Sequence, residues 1–120
     1  MSDSKNKLAV RSKVWLELDG KPFIGEGRLD LLRAIDRQGS LIKASQETCI
    51  AYRRVRGILR EMENRFGSPL VVTRRGGTEG GGAALTESAR DIIRLFEYQR
   101  QGIKDGVDER FQWVFDGFKS

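Results

Sequence analysis

Apolar and polar residues alternate near the beginning of the chain. Between residues 14 and 18 the aliphatic side chains occupy every second position, which is the period of a half-buried strand. Asp19-Gly20 is a strong signal for a two-residue hairpin turn, and Pro22-Phe23-Ile24 begins the return strand. The pattern therefore predicts an N-terminal β-hairpin, with Trp15 packed across the two strands.

Farther along, apolar positions recur at intervals of three and four residues, which is the spacing of amphipathic helices. This spacing predicts helices over residues 28–38, 41–47 and 52–66. Gly39 is suited to end the first helix and Ser40 to cap the second, while residues 48–51 form a short turn. Gly25 and Gly27 are interpreted as a flexible lead-in to the first helix.

A second strand pair is predicted after Ser68-Pro69, which breaks the third helix. Residues 70–73 favour a strand, and a glycine-rich loop over 74–82 leads into a short return strand. A phosphate-binding P-loop would need a lysine after its last glycine, and the loop has alanine there. We interpret this segment as a mobile, positively charged wing.

The C-terminal part is predicted to be helical and rich in apolar residues. Thr86 is suited to cap a helix over 87–101, and Gly102 and Gly106 are expected to interrupt the chain after it. The aromatic residues beyond them keep helical spacing. We expect three segments: a disordered tail 1–7, a winged helix 8–100 and an apolar tail 101–120.

The order of these elements is typical of an α+β fold, the winged helix-turn-helix, here with an N-terminal β-hairpin and a long C-terminal helix. In that architecture the third helix, residues 52–66, enters the major groove of DNA.

Composition narrows the chemistry that the chain could perform. Its 120 residues make one domain, with no histidine and one cysteine, Cys49. Histidine-dependent nucleophiles and a structural zinc site are thereby excluded. We expect no enzymatic activity, no metal and no cofactor. The polar N-terminus and the lack of a long apolar run predict a cytoplasmic protein that does not bind a membrane.

Positive charge is concentrated in one quarter of the chain. The net charge is +5, and residues 51–75 contain seven arginines against two glutamates, while the rest of the chain is balanced. Such a patch is the footprint expected for a polyanion, most simply double-stranded DNA.

The arginines of the third helix project away from its apolar stripe. Those on the outward face can reach base edges, whereas Arg54, Arg65 and the two wing arginines are assigned to phosphates. Gly57, on the same face, indicates either close approach to a DNA backbone or an accident of packing. The candidate DNA-binding residues are Ser40, Tyr52, Arg53, Arg54, Arg56, Gly57, Arg60, Arg74 and Arg75.

Aromatic residues at the C-terminal end predict an interface, because if they were left exposed they would make a large apolar patch, which soluble monomers seldom tolerate. We expect a homodimer on an inverted DNA repeat, with two recognition helices about one DNA turn apart. The alternative is that the tail folds back on its own domain. The candidate dimerisation residues are Leu95, Tyr98, Phe111, Trp113, Phe115 and Phe118.

The segment GRLDLLRAIDRQGSLIKASQETCIAYRRVRGILREME resembles the helix-turn-helix of ModE-type molybdate-responsive regulators, relatives of the LysR-type DNA-binding domain. PLVVTRRGGTEGGGAALTESARDII is similar to that family's wing. The resemblance covers about residues 8–100 and implies a dimeric, cytoplasmic, DNA-binding transcription regulator. It also places Tyr52 and Arg53 at the DNA-facing start of the recognition helix.

The chain departs from the family at two positions of the turn. The family usually has a glycine and a serine or threonine cap where this sequence has Cys49 and Ala51. Full-length members also continue into molybdate-binding domains that this sequence does not match, so we expect no dependence on molybdate. The alternative function is a winged-helix module that binds protein. It would need an apolar or acidic outward face on residues 52–66, which the sequence lacks.

Overall fold

The computed structural model describes residues 7–75 and 81–118. Its elements in chain order are β1 (Leu16–Leu18), β2 (Lys21–Ile24), α1 (Glu26–Gln38), α2 (Leu41–Thr48), α3 (Tyr52–Phe66), β3 (Val71–Arg74), β4 (Gly82–Leu85) and α4 (Glu87–Val114). The predicted α+β winged helix-turn-helix is confirmed, including the N-terminal hairpin and the long C-terminal helix. Most of the predicted disordered tail and the tip of the predicted wing lie outside the described residues.

Two compact units make up the chain. One spans residues 15–94 and contains both hairpins and the three helices α1 to α3. The other combines the N-terminal segment up to Val14 with the residues from Leu95 onward. The predicted boundary at residue 100 between winged helix and tail stays a prediction. The first unit is built around the fully buried side chains of Phe23, Ile24, Leu29, Leu31, Leu32, Ile35, Val55, Met62 and Leu70.

The N-terminal hairpin joins β1 to β2 through the expected turn. Asp19 and Gly20 have φ angles of 51° and 76°, as the primed two-residue turns of hairpins require. The strand begins at Leu16, however, so Trp15 precedes it and is 47% exposed. Its indole N–H donates to the Glu17 carboxylate at 2.9 Å, and its Cβ lies beside Gly25 at the end of the return strand, while packing of the ring across the strands stays a prediction.

Helix α1 begins two residues earlier than the spacing predicts. Gly25 is its N-cap, and the Leu29 N–H donates to the Gly25 carbonyl at 2.9 Å. Gly27 therefore lies within the first turn, and the interpretation of this stretch as a flexible lead-in is wrong. The predicted apolar face is confirmed, because Leu29, Leu32 and Ile35 are fully buried.

Helix α4 runs without interruption through both glycines that were expected to break it. The predicted end at residue 101 is wrong. Side-chain pairs four residues apart bridge this stretch: Gln101 donates to Asp105 at 2.8 Å, and Lys104 donates to Asp108 at 3.1 Å. Such pairs support a helix locally, and they offset the cost of glycine in a helix interior.

The wing is an antiparallel ribbon of β3 and β4, in register from Val71 opposite Leu85 to Arg74 opposite Gly82. Arg74 belongs to the strand and not, as predicted, to the loop. The ribbon is tied to α3 because the Glu63 carboxylate accepts the N–H groups of Leu70 and Val71 at 2.8 and 3.1 Å.

Candidate nucleic-acid interface

Helix α3 has the predicted bounds, and its two faces differ sharply. Val55, Leu59 and Met62 are buried, so one side of the helix is fixed against the core. Arg53, Arg54, Arg56, Gly57 and Arg60 are all exposed. Since the buried face sets the rotation of the helix, the arginines are held toward solvent in a defined order.

The outward face of α3 meets the wing in a cleft. The cleft has a volume of about 360 Å³. It is lined by Ser40, Leu41, Tyr52, Arg56, Thr73, Arg74, Arg75, Gly81 and Gly82. Five of the nine predicted DNA-binding residues thus come together, contributed by the start of α2, the start of α3 and the wing. Three guanidinium groups in one cleft make it strongly positive.

Within this cleft Tyr52 and Arg56 are in direct contact. Arg56 Nη1 donates to the Tyr52 hydroxyl oxygen at 3.0 Å, and the guanidinium carbon lies 5.9 Å from the centroid of the tyrosine ring. The two residues are one helical turn apart on α3. The contact gives Arg56 a defined orientation at the mouth of the cleft.

Ser40 has a structural task besides lining the cleft. Its hydroxyl oxygen accepts the Lys43 N–H at 3.2 Å, so it caps α2 as predicted. The N-terminus of α2 therefore opens onto the cleft, and the free N–H groups of a helix N-terminus favour a negatively charged neighbour.

The remaining predicted DNA-binding residues lie on α3 outside this cleft. Gly57 and Arg60 border a shallow depression with Asn64 farther along the helix. A Cβ built on Gly57 meets no atom within 4 Å in the described structure. Packing of the protein itself therefore does not require glycine here, which leaves close approach of a partner, or accident, as the explanation.

Arg65 is engaged within the protein. Its Nη2 donates to the Glu61 carboxylate at 3.1 Å, and Arg28 donates to the other oxygen of that carboxylate at 3.0 Å. The bond from Arg65, together with the nearby charge of Arg28, holds the pKa of the Glu61 carboxyl below its usual value. The expectation that Arg65 neutralises phosphate is not supported by this arrangement, because its charge is already partly balanced.

The sequence did not indicate three parts of the cleft: Leu41, Thr73 and the glycine pair at 81 and 82. The inward-facing stripe of α2 could have identified Leu41. Thr73 and the glycines depend on how the wing folds back toward α3, which no local pattern reveals.

The candidate dimerisation residues fall into two groups. Phe111, Phe115 and Phe118 contact one another, with ring centroids 4.8 Å apart for the first pair and 5.8 Å for the second. Leu95 and Trp113, 18 residues apart on α4, are separated by five full turns of about 3.6 residues and so lie on one side of the helix. Tyr98, 83% exposed, lies beside Leu95 on that side.

Two features of the described residues concern other functions. No group of three or more histidine, cysteine, aspartate or glutamate residues that could hold a metal ion occurs among residues 7–75 and 81–118. Within the same ranges, no helix is long and apolar enough to span a membrane.

Comparison with known proteins places the chain in a family. The family described as bacterial regulatory helix-turn-helix proteins, lysR family, matches residues 27–90, which is more than half of the chain. The molybdenum transport protein ModE of Azotobacter vinelandii is 31% identical over 109 residues, covering 88% of this chain and 40% of that protein. The transcriptional dual regulator ModE of Escherichia coli is 31% identical over 86 residues, covering 72% of this chain and 33% of that protein.

The chain thus spans about two fifths of the length of the ModE relatives it matches, or less. Among solved structures, ArgP from Mycobacterium tuberculosis superposes with a TM-score of 0.50 at 19% identity, covering 71% of this chain and 30% of that one. At that identity the likeness concerns the fold alone. These matches confirm the predicted resemblance and give no support to the protein-binding alternative. The chain belongs to the lysR family of bacterial regulatory helix-turn-helix proteins, and over most of its length it is similar to ModE.

Proposed function

We propose that α3 lies in the major groove of double-stranded DNA while the β3–β4 wing lies along the sugar–phosphate backbone. This proposal rests on one observation: the same cleft is lined by Arg56 of α3 and by Arg74 and Arg75 of the wing. A phosphate-bearing strand that passes between helix and wing meets positive charge on both sides. Phosphates contribute most of the affinity of such contacts, and base edges supply the sequence preference.

The arginines divide by position. Arg53, Arg56 and Arg60 lie on the groove-facing side of α3, where arginine can donate two parallel hydrogen bonds to guanine. Arg74 and Arg75 lie on the wing, which contacts backbone, and Arg54 flanks the groove-facing side. Gly57, which has open space around it, lets the helix approach the backbone closely.

This division can be tested with binding measurements on operator and random duplexes over a range of salt concentrations. Arg53→Ala should cost ~1–3 kcal/mol on the operator and relax the preference at one base pair. Arg75→Ala should weaken binding to all duplexes alike and lower the slope of affinity against salt by about one.

Arg94→Ala is the matched control, because that arginine lies on α4 and pairs with Asp91 at 3.6 Å. It removes the same charge away from the cleft and should leave the operator affinity nearly unchanged. If Arg75→Ala changed base preference while Arg53→Ala did not, the assignment of roles would be reversed. If Arg94→Ala weakened binding as much as Arg75→Ala, net charge and not the cleft would explain the affinity.

We further propose that the protein acts as a homodimer on an inverted repeat, through the side of α4 that carries Leu95, Tyr98 and Trp113. These side chains are 55%, 83% and 73% exposed. Gly102 and Gly106 lie on the same side of the helix, and a Cβ on either would meet no atom within 4 Å in the described structure. Two copies of this side can approach closely at the glycines and bury the apolar side chains around them, as an isologous interface requires.

Light scattering at micromolar concentration should give twice the monomer mass. Tyr98→Glu should shift the protein toward the monomer without unfolding it, since that side chain is almost fully exposed. Lys104→Glu is the matched control, because Lys104 lies on the opposite side of the helix. A wild-type protein that stays monomeric at high concentration, with and without DNA, would refute the dimer while leaving the DNA-binding proposal intact.

A further inference from the structure

The contact between Tyr52 and Arg56 has no evident role in holding the fold together. Both side chains are exposed, Tyr52 by 41%, and an exposed pair one turn apart on a helix contributes little to stability. The pair does fix the direction of one guanidinium group on the groove-facing side of α3. We infer that Tyr52 is the positioning residue of Arg56, and that the two act as one unit that recognises a guanine. This inference rests on the proposed function.

The other two groove-facing arginines of α3 differ from Arg56 in this respect. Arg53 and Arg60 have no hydrogen-bond or ion-pair partner among the residues that the structure describes. A long side chain that moves freely before binding loses rotamer freedom when it pairs with a base. Arg56 has already lost part of that freedom in the contact with Tyr52, so less is lost when DNA binds.

The donors of Arg56 are sufficient for both contacts. A guanidinium group has five N–H donors, and the tyrosine oxygen accepts from Nη1 alone. The edge formed by Nη2 and Nε stays available for the O6 and N7 atoms of guanine, which accept two parallel hydrogen bonds.

The position of the pair links base recognition to the wing. Tyr52 and Arg56 line the same cleft as Arg74 and Arg75, so the guanine they contact lies next to the strand that the wing holds. Misplacement of the wing would therefore also disturb this base contact.

The test is a double-mutant cycle on base preference. Binding sites are selected from random duplex DNA with the wild type, Tyr52→Phe, Arg56→Ala and the double variant, and the relative affinities for all four bases are measured at each position. The wild type should prefer guanine at one position of each half-site, and Arg56→Ala should abolish that preference. Tyr52→Phe keeps the ring but removes the acceptor, so the preference should fall about 3- to 10-fold, the value of one hydrogen bond.

The decisive quantity is the coupling. In the Arg56→Ala background, Tyr52→Phe should have no further effect at that position, and it should not change the preference at the position that Arg53→Ala changes. Tyr52→Phe should leave the thermal melting curve unchanged, which a merely structural role would not. Arg56→Lys should keep the positive charge but weaken the guanine preference, because the ammonium group lacks the planar, fixed pair of parallel donors that Tyr52 orients in arginine.

Equal effects of Tyr52→Phe with and without Arg56 would overturn the inference, since Tyr52 would then contact DNA on its own account. A silent Tyr52→Phe would overturn it as well. Neither outcome touches the proposed function, which fails only if the wild type shows no salt-dependent binding to double-stranded DNA.

Discussion

The junction between α1 and α2 and the junction between α2 and α3 both begin with a left-handed C-cap but obey different residue rules. Each helix ends on a residue in the left-handed region, Gly39 with φ 64° and Cys49 with φ 60°. Glycine adopts this conformation without steric cost, whereas Cys49 carries a Cβ into it. Ser40 then caps α2, while Ala51 precedes α3 and offers no side-chain bond.

The two junctions also differ in their long-range contacts. The Gly39 carbonyl accepts the Ala83 N–H of the wing at 2.9 Å, and the Glu47 carboxylate of α2 accepts from both Arg37 and Gln38 of α1. The backbone of Cys49, by contrast, bonds only to carbonyls of its own helix α2 among the described residues.

The difference shows where local residue rules are relaxed. The first junction positions the wing against the core and follows the rules for a glycine C-cap and a serine N-cap. The second junction begins the recognition helix and departs from both. Natural proteins tend to break local rules next to functional sites, at a cost in stability that the remaining structure compensates.

Gly39→Ala should show the largest effect on stability, a loss of about 1–2 kcal/mol for an alanine forced into the left-handed region. A Cβ at this position meets nothing closer than the Ala83 carbonyl oxygen at 4.0 Å, so the loss measures backbone conformation and not a clash. Urea unfolding followed by circular dichroism gives the value. Gly57→Ala is the control, because it lies inside a helix with open space and should stabilise by up to about 1 kcal/mol. A neutral Gly39→Ala would show that the first junction is not as strictly defined as its geometry indicates.

Ser40→Ala should cost about 1 kcal/mol, because it removes the acceptor for the Lys43 N–H. The corresponding change at the second junction, Ala51→Ser, should act in the opposite direction by a similar amount, since it supplies the acceptor that α3 lacks. The same unfolding experiment measures both. If Ala51→Ser gained nothing, the start of α3 would be satisfied in another way, and the contrast between the two junctions would be smaller than the caps suggest.

The sequence-based predictions succeed where a feature has a local cause and fail where it depends on long-range contacts. The predicted bounds of α3 are correct because its apolar stripe is strongly periodic, with Val55, Leu59 and Met62 buried along one side. The predicted start of α1 is wrong because the low helix propensity of glycine argues against a helix at Gly27. In the structure, the Leu29 N–H donates to the Gly25 carbonyl, and the helix forms in spite of that low propensity. The spacing of Gln101 and Asp105, and of Lys104 and Asp108, favours a continuous α4, whereas the two glycines favour an interruption.

For the site, the identity of the outward arginines could be predicted because α3 has one buried face. Their partners could not. The bond between Tyr52 and Arg56 is one of several that the same helix would allow, and the cleft exists only because the wing folds back onto α3. The anchoring of the wing by Glu63, through the N–H groups of Leu70 and Val71, likewise depends on contacts that no local pattern encodes.

Cys49→Gly should stabilise the protein by about 0.5–1 kcal/mol. Removing the Cβ relieves the cost of the left-handed conformation, and the greater flexibility of glycine in the unfolded chain offsets part of that gain. Little is lost with the thiol, whose sulfur lies 3.9 Å from the Gln46 carbonyl oxygen. Cys49→Ala is the control: it also removes the thiol but keeps the Cβ, so it should gain nothing. Equal effects of the two variants would attribute the result to the thiol and not to the backbone.

Glu47→Gln should have the smallest effect, visible chiefly as a change in the dependence of stability on pH. The bond from Arg37, and then that from Gln38, lowers the pKa of the Glu47 carboxyl from its ordinary value of 4.5, and the same bond raises the pKa of Arg37. Because the folded state favours the carboxylate, the contribution of Glu47 is fully present above pH 4.5 and is lost as the pH falls through the lowered pKa. Urea unfolding at pH 7, 5, 4 and 3 should show that the variant is slightly less stable than the wild type at pH 7 and that this difference in stability narrows as the pH falls below 4.5. Glu61, whose pKa is lowered by Arg65 and Arg28, keeps part of the acid sensitivity in both proteins. If the stability difference between variant and wild type did not narrow at low pH, the contact between α1 and α2 would not depend on the charge of Glu47. The main long-range contact of the first junction would then be the bond between the Gly39 carbonyl and the wing.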